Sequence, residues 1–203
     1  MTEDSRTLTD EISKRERAIA QGVNRHMMIG LYTPAAVEYL PYNSNARSVA
    51  QSVAEAILEC DGSLRVEHIG STAVPGCWGK GIIDLLVTYG SGRLEAARNS
   101  LEYLGFQRQG DPEPFSESRP MRVGSVRYLG RVYRLHAHVI EAGHPEAHDL
   151  VRFRDMLRED PALRRAYGAE KRAILARGII KGAEYSNAKG EFIRRVLART
   201  AEL

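Results

Sequence analysis

The run Ile82-Ile83-Asp84-Leu85-Leu86-Val87 constrains this chain more than any other stretch. A near-continuous apolar segment of this length reads as a central strand, buried on both faces and covered by layers above and below. It also carries a carboxylate. An ionised carboxylate in apolar surroundings is costly unless something cationic meets it. A divalent metal bridging carboxylate to phosphate is one such partner; an arginine paired with a strand-end charge is the other.

The segment before this strand fits the first reading. Leu64–Ile69 reads as a strand that runs into Gly70-Ser71-Thr72, followed by a Pro75-Gly76 loop. Glycine lets the backbone approach a ligand closely, and the Ser71 and Thr72 hydroxyls with free turn N–H groups can hold phosphate oxygens. The plain alternative is an ordinary turn.

Interleaved strands and helices followed by a helical tail predict an α+β or α/β sheet with a helical cap. A helix is expected over residues 7–28, with Ile12, Ile19 and Val23 on one side, and residues 29–36 read as a linker. Val37–Leu40 is a short strand candidate, and a helix over 44–60 presents Val49, Val53, Ile57 and Leu58. Leu94–Leu104 is helical and ends at Gly105, residues 109–120 form a polar, proline-bearing loop, and Arg122–Leu129 with Val132–Glu141 form a hairpin. Helices follow at 145–159, from the Asp160-Pro161 cap to Arg177, and at 184–200.

Composition removes several classes. The 203 residues are 43% hydrophobic and 27% charged, as in soluble globular chains. No run approaches the ~18 apolar residues of a membrane helix. The first residues contain no apolar stretch of the kind a secretory signal needs. Two cysteines, Cys60 and Cys77, make no disulfide framework, so a reduced, cytoplasmic protein is expected. Residues 151–203 hold 13 basic and 7 acidic groups within a chain of net charge +3. Solvated helix faces or a pocket for a phosphorylated small molecule explain that tail, and no nucleic-acid-binding signature accompanies it.

Other residues converge on the Asp84 strand. Along Val132–Ile140, period-2 alternation puts Arg134, His136 and His138 on one face, ~7 Å apart at successive places. His138 with Asp84 suits a divalent ion, with Glu67 or Glu141 as a further ligand; phosphate contact or a solvent-facing sheet surface are the alternatives. In the tail, Lys171 follows Tyr167 and Lys189 follows Tyr185 by one helical turn. Such pairs can close over a nucleotide, and ordinary packing explains them as well.

Taken whole, Glu67-His68-Ile69-Gly70-Ser71-Thr72-Ala73-Val74-Pro75-Gly76 with Lys80 and Ile82-Ile83-Asp84 resembles the signature of the GrpB family. Val37–Tyr42, Leu135-His136-Ala137-His138-Val139, Phe153–Leu157, Tyr167, Lys171, Tyr185, Lys189 and Phe192-Ile193 extend the likeness over about residues 37–200. The resemblance implies a nucleotidyltransferase-like mixed sheet flanked by helices, related to a domain found fused to dephospho-CoA kinase. Residues 1–36 would then be an extension, available as a dimer or substrate element, and 37–203 the domain. On such a fold, the residues' own chemistry makes Asp84 and His138 the expected catalytic residues and, with Glu67, the expected ligands of Mg2+ or Mn2+, with a nucleoside triphosphate as substrate. Gly70, Ser71, Thr72, Lys80, Arg134, His136, Lys171, Tyr185 and Lys189 would bind substrate. The acceptor would be a small molecule, with a homodimer through the N-terminal helix as one use of the extension.

Two departures stand out. Superfamily enzymes place a second acid two residues after the first, where both share a face and hold two metals; here that place is Leu86. The loop Gly76-Cys77-Trp78-Gly79-Lys80-Gly81 carries a tryptophan where smaller apolar residues are usual, and Gly81 where proline is usual. A catalytically reduced binding module serving a partner enzyme, and ligase-type chemistry on the same scaffold, therefore stay open.

Overall fold

The computed structural model describes residues 28–35, 38–110, 114–180 and 182–199. The helix expected over 7–28 lies almost wholly outside them. Five helices and five strands follow in chain order among the described residues. These are α1 (Asn45–Cys60), β1 (Arg65–Ile69), β2 (Ile83–Tyr89), α2 (Leu94–Tyr103), β3 (Gln107–Arg108), β4 (Met121–Tyr128) and β5 (Arg131–Glu141). α3 (Pro145–Glu159), α4 (Pro161–Ala176) and α5 (Gly182–Arg199) complete the set. A single 3₁₀ turn, Ser71–Ala73, follows β1. The architecture is α+β.

The sheet order is β1-β2-β5-β4-β3. β2 pairs antiparallel with β1 and parallel with β5, so the Asp84 strand lies inside the sheet, as its apolar run requires. Ile83, Leu85 and Val87 of β2 and Leu135, Ala137 and Val139 of β5 are fully buried against α1 and α2. On the opposite face Ile69, Leu86 and Ile140 meet Ala147, Leu150 and Val151 of α3. The helical cap adds a third cluster: Val74 and Cys77 of the loop pack with Phe153, Leu157 and Tyr167, flanked by Phe192 and Ile193.

Local chemistry fixes the helix starts. The Asp160 carboxylate accepts from the Ala162 and Leu163 N–H groups, with Pro161 at the first helical position. His144 caps α3 by accepting from the Glu146 N–H.

The reading of residues 29–36 as a linker is corrected by the described part, residues 28–35. Ile29 is buried in the main core. Its N–H donates to the Leu104 carbonyl, and Gly30 bridges to Ser125 of β4. A lone isoleucine beside a glycine gives no periodic signal, yet the sheet has a socket for it. Gly124 is that socket, since a Cβ there would lie 2.2 Å from the Ile29 side chain. The Val37–Leu40 strand reduces, among described residues, to one bridge between Leu40 and Gly79.

Candidate active site

Parallel pairing of β2 and β5 sets Asp84 opposite His136 and Leu86 opposite His138. Alternation along each strand puts all three polar side chains on the α3 face, past the edge of its apolar patch. Asp84 Oδ1 lies 3.4 Å from His136 Nδ1 and 3.7 Å from His138 Nε2. The partly buried carboxylate is thus met by two imidazoles rather than by an arginine. Burial pushes the Asp84 carboxyl up, but the two imidazoles outweigh it and hold it well below the usual carboxylate range. Burial lowers His138, and Asp84 only partly opposes that, so this ring is neutral near pH 7. Its Nδ1 is buried with no partner among the described residues.

The Gly-Ser-Thr loop is pressed against this carboxylate. Gly70 has φ +70°, and a Cβ there would stand 2.5 Å from Asp84 Oδ2. Glycine is required at this position on both counts. Ser71 faces Gly79 just as closely, since a Cβ on Gly79 would lie 2.3 Å from Ser71 Oγ and 3.7 Å from Lys171 Nζ. Arg134 donates to the Lys80 carbonyl at 3.3 Å, and Lys80 Nζ lies 4.2 Å over the Tyr185 ring, with Lys189 Nζ at 5.9 Å. Burial pushes the Tyr185 hydroxyl up to about 12, so it stays neutral.

Three expected ligands are otherwise engaged. Thr72 is buried and donates to the Ile82 carbonyl at 3.0 Å. Its oxygen also faces His68 Nε2 at 3.0 Å, so both residues hold the loop. Glu67 lies opposite Leu86 on β1, and Arg154 of α3 takes its carboxylate at 2.9 Å. Arg154 continues to the His68 carbonyl and to Asp155, tying α3 to the β1 edge. Lys171 is buried under Tyr167, where its Nζ donates to the Trp78 carbonyl and approaches Cys77 Sγ at 3.5 Å. It pins α4 to the loop. Trp78 itself is half-exposed and stacks on Tyr39.

One residue escaped sequence reasoning. The Tyr32 hydroxyl reaches His136 Nε2 at 3.0 Å, and the two rings lie 5.5 Å apart. Tyr32 falls in the expected linker, where no spacing ties it to a histidine 104 positions away. The 109–120 loop also contributes: Phe115 meets the His138 ring edge-on at 6.0 Å, and Arg119 lies over Phe115.

The donor set does not fit a resident metal. Among the described residues no group of three or more His, Cys, Asp and Glu side chains is arranged to hold one. Both imidazoles lean on the same Asp84 oxygen, Glu67 belongs to Arg154, and Leu86 occupies the place of a second acid. Magnesium asks for oxygen ligands, and this cluster offers one carboxylate. Nor is any described helix long and apolar enough to cross a membrane.

The chain resembles proteins of one kind. It is 34% identical over 138 residues to a UPF0157 protein of Deinococcus radiodurans, covering 68% of each chain. It is 35% identical over 140 residues to another of Pseudomonas aeruginosa, covering 67% of this chain and 55% of that one. Among solved structures it matches the conserved protein GrpB from Enterococcus faecalis with a TM-score of 0.58 and 23% identity, over 79% of this chain and 99% of that one. A looser likeness, to Cid1 in complex with its short product ApU, has a TM-score of 0.46 at 10% identity, too low to carry fold or function. The model of the family described as GrpB protein matches residues 36–199, almost the whole described fold, and the chain belongs to the GrpB family.

Proposed function

We propose that the partly exposed site at Asp84 binds a nucleoside triphosphate, or another phosphorylated substrate, and transfers its phosphorus-linked group to a small-molecule acceptor. The observation that carries this reading is the contact between loop and carboxylate. A glycine-entered turn with a partly buried serine lies directly on a carboxylate held ionised inside a sheet. Building that contact demands a left-handed glycine and a charge in an apolar strand, both costly features that a plain turn would not need.

In this reading the loop N–H groups and Ser71 orient the phosphate chain, while Lys80 and Lys189 supply positive charge near Tyr185. The proton released by the acceptor is taken up within the cluster of Asp84 and the imidazoles beside it, whose charge the carboxylate stabilises. Positioning and electrostatics supply most of the rate, as in phosphoryl chemistry generally. No step is assigned to a resident metal, because the donors do not suit one. A divalent ion would enter only as part of the nucleotide substrate.

The single carboxylate favours a second reading, in which the site binds a nucleotide or CoA-type ligand for a partner enzyme without turnover. Thermal unfolding separates the two when run with nucleoside triphosphates and CoA precursors, with and without magnesium. A ligand at a hundred times its Kd adds about 2.7 kcal/mol and raises Tm by several degrees. A nucleotide shift that needs magnesium and is lost in Asp84→Asn supports transfer. A shift that survives both changes supports the binding module, and no shift with any nucleotide or CoA precursor removes both.

A further inference from the structure

The contact between Tyr32 and His136 has the form of an activated nucleophile. The Tyr32 hydroxyl lies 3.0 Å from His136 Nε2, while His136 Nδ1 lies 3.4 Å from Asp84 Oδ1. With the carboxylate ionised, Nδ1 carries the proton that faces it, which leaves Nε2 as a lone-pair acceptor. The Tyr32 O–H therefore donates to Nε2. Nucleophile, imidazole base and orienting carboxylate stand in sequence, the arrangement that activates a hydroxyl on unrelated folds. The 3.4 Å step is long for a hydrogen bond, as catalytic contacts often are before substrate is bound.

The segment that carries Tyr32 is held on both sides, so the placement belongs to the fold. The Tyr32 N–H donates to Gln107 Oε1 at 2.8 Å. Ser125 Oγ donates to the Leu31 carbonyl at 2.7 Å, Gly30 bridges to Ser125 through both backbone bonds, and Ile29 is anchored in the core. Tyr32 is itself only partly buried and is joined to Asp84 through His136. A hydroxyl held by its own chain against the base of a transfer site is an acceptor at very high effective concentration.

We propose that Tyr32 is a self-modification site, and that its hydroxyl takes the nucleotidyl group of a bound nucleoside triphosphate. This inference rests on the reading of the Asp84 site as a nucleotide site. The Tyr32 oxygen attacks the α-phosphorus, and a Tyr–O–P bond forms as the bond from that phosphorus to the bridging β-phosphate oxygen breaks. Pyrophosphate leaves with the electron pair. The tyrosine proton passes to His136 Nε2, and Asp84 stabilises the imidazolium so formed. The modified chain carries one nucleoside monophosphate through a phosphodiester, and its own acceptor then fills the site until that ester is cleaved.

Intact-mass measurement tests this. The full chain is incubated with each of the four common ribonucleoside triphosphates and magnesium, alongside Tyr32→Phe, His136→Gln and Tyr103→Phe, with Tm recorded for all four proteins. Tyr103 is a highly exposed tyrosine and serves as the control. The expected result is a gain of one nucleoside monophosphate in the parent and in Tyr103→Phe, mapped to Tyr32 by peptide mass spectrometry. It is absent in Tyr32→Phe and at least tenfold slower in His136→Gln. A nucleotide-dependent Tm rise in the parent with no adduct, or an adduct on another residue, overturns the self-modification and leaves the site reading standing. No Tm rise with any triphosphate and no adduct removes the nucleoside-triphosphate reading of the site and this inference with it. If Tyr32→Phe unfolds, peptide mapping of the parent adduct still decides.

Discussion

The two faces of the β2–β5 pair are built from the same two strands and do opposite work. On one face Ile83, Leu85, Val87, Leu135, Ala137 and Val139 are fully buried beneath α1 and α2. On the other, the intervening residues begin with the apolar Leu86 and Ile140 under α3 and end in the partly exposed Asp84, His136 and His138. Side chains of period two let one strand carry a stability sequence and a chemistry sequence at once. The buried face sets the register, because a slip of one residue would bring Asp84 into the core. The chemistry is positioned by packing it never touches.

Substitutions on either face separate the two roles. Leu135→Ala on the closed face has the largest expected effect on stability, a loss of about 2–5 kcal/mol from lost burial and the cavity left behind. Chemical denaturation of the variant measures it, with the adduct or turnover per folded molecule unchanged. Gly70→Ala comes next. A Cβ would stand 2.5 Å from Asp84 Oδ2 at φ +70°, and left-handed backbone strain alone is on the order of 1–3 kcal/mol. Unlike Leu135→Ala, this variant should also lose the nucleotide-dependent Tm rise. An intact rise would mean that loop and carboxylate are not one site.

The smaller effects sharpen the contrast. Burial holds His68 at about 4, with Arg158 and Arg154 adding to the fall and Asp84 opposing it. The unfolded chain takes up a proton near pH 6.5 and the folded one only near 4, so stability is full above 6.5 and falls as pH drops through that window. The loss from His68 is on the order of 3 kcal/mol, and His68→Gln should reduce the slope in denaturation curves taken across those pH values, leaving the part due to His138, which burial also lowers. Asp84, also depressed, has its own stability loss below the usual carboxylate range, outside this window. Smallest is Glu67→Gln, which removes one partner of Arg154 while Asp155 remains. A cost of about 0.5–1 kcal/mol is expected with no change in nucleotide response. A lost response would return Glu67 to the Asp84 site.

Much of this was legible because it is local. The apolar run around Asp84, the hairpin that presents His136 and His138, and the Asp160-Pro161 cap each announce themselves within a few residues. What sequence could not show depends on partners far along the chain. Glu67 is claimed by Arg154 across 87 positions, Lys171 by the Trp78 carbonyl across 93, and His136 is joined by Tyr32 across 104. Spacing of three or four placed Lys171 beside Tyr167 but did not say that its ammonium turns inward to the loop. Thr72 likewise shares a motif with Ser71, yet one hydroxyl fastens the turn to Ile82 while the other faces Gly79. The Ile29–Tyr32 segment carried no pattern because a single anchor in a single socket has no period.

The most direct test of the central claim is pyrophosphate release from a saturating nucleoside triphosphate with magnesium, comparing the parent chain with Asp84→Asn. Melting curves taken in parallel confirm that both are folded. The account predicts release by the parent and a loss of at least a hundredfold in the variant, with both proteins folded at the assay temperature even where the variant's Tm is lower. Equal release from both proteins, or none from a nucleotide-bound parent supplied with a panel of small hydroxyl and amine acceptors, would contradict the assignment of transfer chemistry to this face of the sheet.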